Sequence, residues 1–351
     1  MINNNFRMKT LLSPELLYTR HRLSYPQIDS LLGTNHKELY QKDIIENFKI
    51  IREFIVVTDE FRKMGIRFIP LKGPLLSLRI YGDATFRRYH DLDILIDSKD
   101  IPRAYKYLIS SGYCPDVELP EDEMGRQNLF NYTKHISFIH PTTRVNIELH
   151  WQILDLKDFL GPDFNFIYQD ITVNQVFMSR EFRVLKNEYD LFYLLFHGST
   201  HKWQRLKWLL DINDYMKNIG FDSLKINSLA QKYKVSKIIP LYNSVAAIYI
   251  PKSALFDSKL KIPTILVRIC IKHIAAKEVV FTKIDISYSL QGYVFGLLLF
   301  SDLGNRIAFL KTRFILFSDS KDIRTTNPLL LFLYRPFGYL IRHLRRGLKP
   351  S

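Results

Sequence analysis

The sequence predicts an α+β fold: a small mixed β-sheet core with flanking helices, followed by a mainly helical C-terminal domain. Three observations point there. Four short apolar runs with strand character, IRFIPL, DLDILID, KHISFIH and VNIELHW, all fall between residues 66 and 151. Residues 13–64 repeat apolar side chains at three- and four-residue steps, and from about residue 188 the pattern is again mainly helical. Hydrophobic residues make up 47% of the 351, including 20 Tyr and 25 Phe, enough for a substantial core in one or two domains. The expected division is an N-terminal helical segment at 1–65, the sheet core at 66–180 and the helical domain at 181–351.

Taken in order, residues 13–64 read as helix, and the stretch from His36 ends at Gly65, a C-cap signal. IRFIPL (66–71) is a short strand, and Pro74 suits the first turn of a helix running to Tyr81. DLDILID (91–97) is the second strand. IPRAYKYLISSGY is a helix with Gly112 just past its end. After a polar stretch (116–128), KHISFIH and VNIELHW form a hairpin around Pro141-Thr142-Thr143-Arg144. There is no internal repeat and no low-complexity tract.

The net charge of +15 favours anionic partners: nucleotides, nucleic acid, phosphorylated sugars or an acidic membrane surface. Only Cys114 and Cys270 are present, which implies no disulfide framework and makes a reducing cytoplasm the expected compartment. MINNNFRMKTLLSPELL lacks the apolar centre of a signal peptide, and no apolar run reaches the ~20 residues that span a bilayer. The C-terminal LLLFLYRPFGYLIRHLRRGLKPS leaves peripheral membrane contact open. Arg335-Pro336 interrupts its apolar pattern, and a packed helix with a solvated basic tail is the favoured reading.

Chemistry concentrates in residues 69–97. On a strand, Asp91 and Asp93 share a face about 7 Å apart, while Leu92, Ile94 and Ile96 take the other. Two such carboxylates repel unless a cation offsets them, and a divalent ion for phosphoryl or nucleotidyl chemistry is the first candidate. Helix capping, or an ion pair with Arg87 or Arg88, is the plainer alternative. In VNIELHW, Asn146, Glu148 and His150 share one face and Val145, Ile147, Leu149 and Trp151 the other. The plain reading of Glu148 is the solvated polar face of an edge hairpin.

The ordered blocks Leu71-Lys72-Gly73, Tyr81-Gly82, Arg87 and Asp91-Leu92-Asp93, then VNIELHW, then EYDLFYLLFHGSTHKWQRLKWLLDINDYM (188–216), resemble the uncharacterised bacterial nucleotidyltransferases of the polymerase-β-type superfamily. The resemblance covers roughly residues 45–216. It implies that the sheet is a nucleotidyltransferase core that uses Mg²⁺ (or Mn²⁺) to move an NMP group from an NTP to a hydroxyl or phosphate acceptor on a sugar, lipid, peptide or protein. Asp91, Asp93 and Glu148 then serve as catalytic and metal-binding carboxylates, with Glu148 completing the metal shell or acting as base. Polymerase-β-type enzymes carry Gly-Ser at the phosphate turn. Here Pro74 follows Gly73, so Lys72 is expected to supply the missing contact as a point charge and Gly73 to allow close backbone approach.

Arg87 is a bidentate phosphate clamp or, alternatively, a carboxylate partner. His197, His201 and Lys202 are expected to line the open side of the cleft and help bind nucleotide or acceptor. Trp203 and Trp208 are expected to pack helices together. His197 and His201 with Asp211 make only a weak zinc signal. Two competing functions remain: a non-catalytic protein of the same fold that binds nucleotide or an anionic polymer, and a nucleic-acid or membrane-surface protein driven by charge, which is not favoured.

Overall fold

The computed structural model describes residues 13–153, 160–276, 286–314 and 317–347. Most of the N-terminal stretch MINNNFRMKTLLSPELL (1–12) and the end of the basic tail (348–351) lie outside the described residues. The N-terminal helical reading holds with two breaks. Helix α1 (Pro14–Thr19) gives way to α2 (Tyr25–Leu32), and α3 (Tyr40–Lys63) comes next. Ser24 caps α2 reciprocally with Gln27, and Gly33 closes it at φ 68°, so local capping chemistry interrupts the longer apolar period.

The sheet is mixed and five-stranded, ordered β1-β2-β5-β4-β3. Its strands are β1 (Phe68–Pro70), β2 (Asp91–Ile96), β3 (Cys114–Pro115), β4 (His135–Ile139) and β5 (Asn146–His150). β2 and β5 run parallel while the other pairings are antiparallel. Helix α4 (Gly73–Tyr81) links β1 to β2, and α5 (Ile101–Ser110) comes after β2. Strand alternation decides what each face does. Leu92, Ile94 and Ile96 pack with Phe54, Val57 and Phe61 of α3 and with Ile101, Ala104 and Leu108 of α5. Each such burial stabilises by roughly 1.5–3 kcal/mol, so this face anchors the sheet. The opposite face carries Ile69 and Leu95, which join the larger apolar cluster of the helical half, and beside them the polar side chains of the site.

Several elements depart from the sequence expectation, including the two-residue β3. The polar stretch contains α6 (Glu123–Tyr132), capped by Asp122 and anchored by buried Leu129. A separate hairpin, β6 (Thr172–Phe177) and β7 (Arg180–Leu185), comes after α7 (Phe164–Asp170). Its turn places Met178 and Ser179 at φ 48° and 59°, the conformation for which Asn-Gly is the usual signal, and neither residue announces it.

From residue 187 the described chain is helical: α8 (Asn187–Thr200), α9 (Leu206–Asn218), α10 (Ser223–Lys232), α11 (Ile238–Tyr249), α12 (Thr264–Ala275), α13 (Ile286–Leu299), α14 (Leu303–Phe314), α15 (Phe317–Ile323) and α16 (Pro328–Gly347). Contrary to expectation, α16 continues through Arg335-Pro336. Leu331 is buried, but Leu329, Leu330, Phe332, Leu333 and Phe337 are exposed, so the apolar face is not fully packed. No helix of the described residues is long and apolar enough to cross a membrane.

Candidate active site

The parallel pairing of β2 and β5 sets the site. Asp91 lies opposite Asn146 and Asp93 opposite Glu148, so the three candidate carboxylates share one sheet face. The β4–β5 pairing adds His135 opposite His150 and Ser137 opposite Glu148 on the same face. Asp91 stands at the rim, half-buried, and Asp93 is only 4% exposed. A cleft of about 450 Å³ opens at the Asp91 end, bordered by Arg22, His90, Asp116, Ser137 and Asn146. A second cleft of similar size, with Arg62, Arg67 and Arg183 on its walls, has none of the three carboxylates in its lining.

The cation that two adjacent aspartates require is supplied by the chain itself. Lys72 Nζ lies 3.4 Å from Asp93 Oδ2 and 3.5 Å from His197 Nε2, with the Tyr193 ring 5.4 Å away. Lys72 is therefore not free to point at a triphosphate, as the sequence suggests; it is buried against Asp93. Burial opposes the charge on Lys72, but Asp93 foremost, then Tyr193 and Asp91, raise its pKa above the ordinary lysine value. Burial likewise opposes ionisation of Asp93, and Lys72 followed by His150 outweighs it, holding the carboxyl well below the usual range. Burial, then the charge of Lys72, pushes His197 well below the normal histidine value, so its neutral ring can accept from the ammonium.

His150 completes the inner group. Its Nε2 is 3.3 Å from both Asp93 Oδ1 and Glu148 Oε2. Burial lowers its pKa, but the hydrogen bonds to Asp93 and Glu148 win and raise it. Gly73 begins α4 at φ 67°, a left-handed conformation that glycine adopts without strain, and α4 has no side-chain cap at its first turn.

Other expected residues lie elsewhere. Arg87 is not a phosphate clamp facing the cleft. It is 2% exposed, and its Nε and Nη2 donate to the two oxygens of Asp211 at 2.7 and 2.8 Å. That contact also removes Asp211 from any histidine metal site. His201 sits one ring back from Lys72, its ring 4.6 Å from that of His197 and 5.3 Å from that of Trp208. Lys202 Nζ would lie 3.7 Å from a Cβ added at Gly292, so it is directed toward α13 rather than Asp93. Trp203 is fully buried, as expected of a core residue, and its ring lies against Gly198. Trp208 instead meets both histidine rings.

Sequence reasoning gives no role to His135, His150, Tyr193 or Lys207. Lys207 is buried on α9, where burial and then the charge of Arg87 push its pKa far below the ordinary value. The hairpin carries a signal for the two histidines: a loop closed by residues 140 and 145 sets His135 opposite His150.

The three candidate carboxylates share a face, but among the described residues the side chains whose ligand atoms all lie within 4.8 Å of one another are His135, Glu148 and His150. Asp93 Oδ2 makes no hydrogen bond but faces the Lys72 ammonium at 3.4 Å, and Asp91 and Glu148 share its sheet face. The sequence matches the family described as uncharacterised nucleotidyltransferase over residues 24–250, and the chain belongs to that family. No curated protein matches it. A solved structure of the antibiotic-resistance factor ANT(2'')-Ia is similar at 12% identity and a TM-score of 0.36, covering 55% of this chain and 91% of that one. That likeness is too slight to assign a role to any residue.

Proposed function

We propose that the protein is a metal-dependent nucleotidyltransferase that moves an NMP group from an NTP to a hydroxyl or phosphate acceptor. The observation that carries this reading is the placement of Asp93 opposite Glu148 on paired parallel strands, with Asp91 on the same face and a cleft opening beside it. Family membership supports the reaction class and implies an NTP substrate.

In this reading Asp91, Asp93 and Glu148 hold Mg²⁺ or Mn²⁺. The ion supplies activation of the acceptor oxygen and charge stabilisation on the phosphates. Lys72 keeps Asp93 ionised and ready as a ligand, since the ammonium beside it offsets the cost of a buried carboxylate. The first turn of α4 has no side-chain cap, and although Pro74 lacks an N–H, the amides of Gly73 and Leu75 would be its donors to phosphate oxygens. Glu148, less buried than Asp93, would either complete the metal shell or take the acceptor proton. His197 orients Lys72, while His201 and Trp208 buttress His197 from behind. Arg87 acts through Asp211, tying the segment before β2 to α9.

Incubation of purified protein with each labelled NTP, Mg²⁺ or Mn²⁺, and an extract of candidate acceptors tests the proposal. Transfer of label to a sugar, lipid, peptide or protein supports it and names the acceptor class. The alternative, a non-catalytic protein that binds nucleotide or an anionic polymer, predicts saturable NTP binding with no label transferred.

A further inference from the structure

We infer that His135, Glu148 and His150 form a separate site for a divalent transition ion, of which Zn²⁺ is the best-fitting member, beside the Asp91–Asp93 carboxylates. The inference goes beyond the proposed transfer reaction and shares with it only Glu148. One ligand atom from each of the three residues lies within 4.8 Å of the others. Glu148 Oε2 is 3.3 Å from His150 Nε2 and 3.9 Å from His135 Nε2. Donors bound at 2.0–2.1 Å in a tetrahedral shell stand ~3.3 Å apart, so closing these three on one ion needs only small side-chain movement.

Three further features favour this site over a chance polar cluster. Two imidazoles and one carboxylate form an N/O donor set suited to Zn²⁺ or Mn²⁺, whereas Mg²⁺ prefers oxygen alone. His150 Nδ1 lies 3.4 Å from the carbonyl oxygen of Gln152, so its ring can donate there and turn Nε2 toward the site, as metal-bound histidines commonly do. The backbone also fixes the placement: His135 and His150 are register partners on β4 and β5, and Glu148 lies two residues before His150 on the same face. Three protein ligands leave a fourth position for water or a substrate oxygen, the pattern of an open rather than a closed zinc site.

Calorimetric titration of metal-stripped full-length protein with Zn²⁺ and with Mg²⁺, in wild type and in His135→Ala, Glu148→Gln and Asp91→Asn variants, tests the inference. The expected result is one equivalent of Zn²⁺ bound at least about 100-fold more tightly than Mg²⁺. His135→Ala and Glu148→Gln should each weaken Zn²⁺ by about 10-fold or more, with Asp91→Asn changing it little. Equal Zn²⁺ affinity in wild type and His135→Ala, or an equal loss in Asp91→Asn, would place the ion among the aspartates and overturn the inference. Zinc-edge X-ray absorption of the wild-type protein with one equivalent of Zn²⁺ needs no variant to fold: scattering from two imidazoles supports the site, and a shell without imidazole refutes it. Neither measurement reads nucleotidyl transfer, so this inference and the proposed function fail independently.

Discussion

Replacing Arg87 with Met should unfold the protein more easily rather than simply weaken nucleotide binding. Arg87 and Asp211 are 2% and 1% exposed, and two charge-assisted hydrogen bonds of 2.7 and 2.8 Å join them. Neither group has solvent to fall back on. Removing the guanidinium leaves a buried carboxylate without its partner, a change that costs about 3–5 kcal/mol. The Arg87→Met/Asp211→Leu pair removes both charges and should recover much of that loss, because the stranded carboxylate is the main penalty. Urea unfolding monitored by tryptophan fluorescence measures both variants, and a double-mutant cycle isolates the coupling. A single variant within about 1 kcal/mol of wild type, combined with weakened NTP binding, would refute the structural role and restore the phosphate-clamp reading.

Gly73→Ala should destabilise by about 1–2 kcal/mol from backbone strain alone, since φ is 67° and the added Cβ would meet Leu92 Cδ2 only at an ordinary 3.5 Å; an unchanged melting temperature would contradict this. Gly198→Ala should cost more, because its Cβ would fall 2.1 Å from Trp203 Cζ3, and thermal melting should show a loss of at least about 1–3 kcal/mol. His21 gives a pH dependence. Burial, then Arg20 and Arg205, lower its pKa from 6.5 to about 3, and its Nδ1 accepts from the Leu206 N–H. The unfolded chain therefore binds the extra proton first. The His21 contribution is complete above pH 6.5 and is lost as pH falls from there toward 3, by about 4–5 kcal/mol in all. A His21→Gln variant should show a flatter stability profile over that window, and an unchanged slope would refute the assignment.

The positions of β1, β2, β4 and β5 were legible in the sequence from their apolar runs, and those of β3, β6 and β7 were not. VNIELHW separates polar from apolar side chains completely and DLDILID does so except for Leu95, which shares the aspartate face, so the faces of β2 and β5 can be assigned directly. The Pro-Thr-Thr-Arg turn likewise announced the hairpin of β4 and β5. Long-range partners were not legible. Lys72 and Asp93 meet because β1 and β2 run antiparallel, and Arg87 finds Asp211 across 124 positions; one-dimensional spacing contains neither distance. The β6–β7 turn escaped because Met178 and Ser179 adopt left-handed backbone without glycine. Helix α6 escaped because its apolar content is too sparse to set a period, with Leu129 its one fully buried apolar side chain. His150 was placed on the correct face, yet without the paired strand nothing showed that it reaches both Asp93 and Glu148.

We propose that the Asp91–Asp93–Glu148 face carries metal-dependent nucleotidyl transfer. Label transfer from an NTP, compared between wild type and Asp93→Asn at matched folding by circular dichroism, tests it most directly. Asparagine preserves the shape of the side chain but removes the charge paired with Lys72. The expected result is transfer by the wild type and a loss of at least about 10³-fold in the variant, the scale of losing a group that stabilises the transition state directly. Asp93→Asn turnover close to wild type would contradict it.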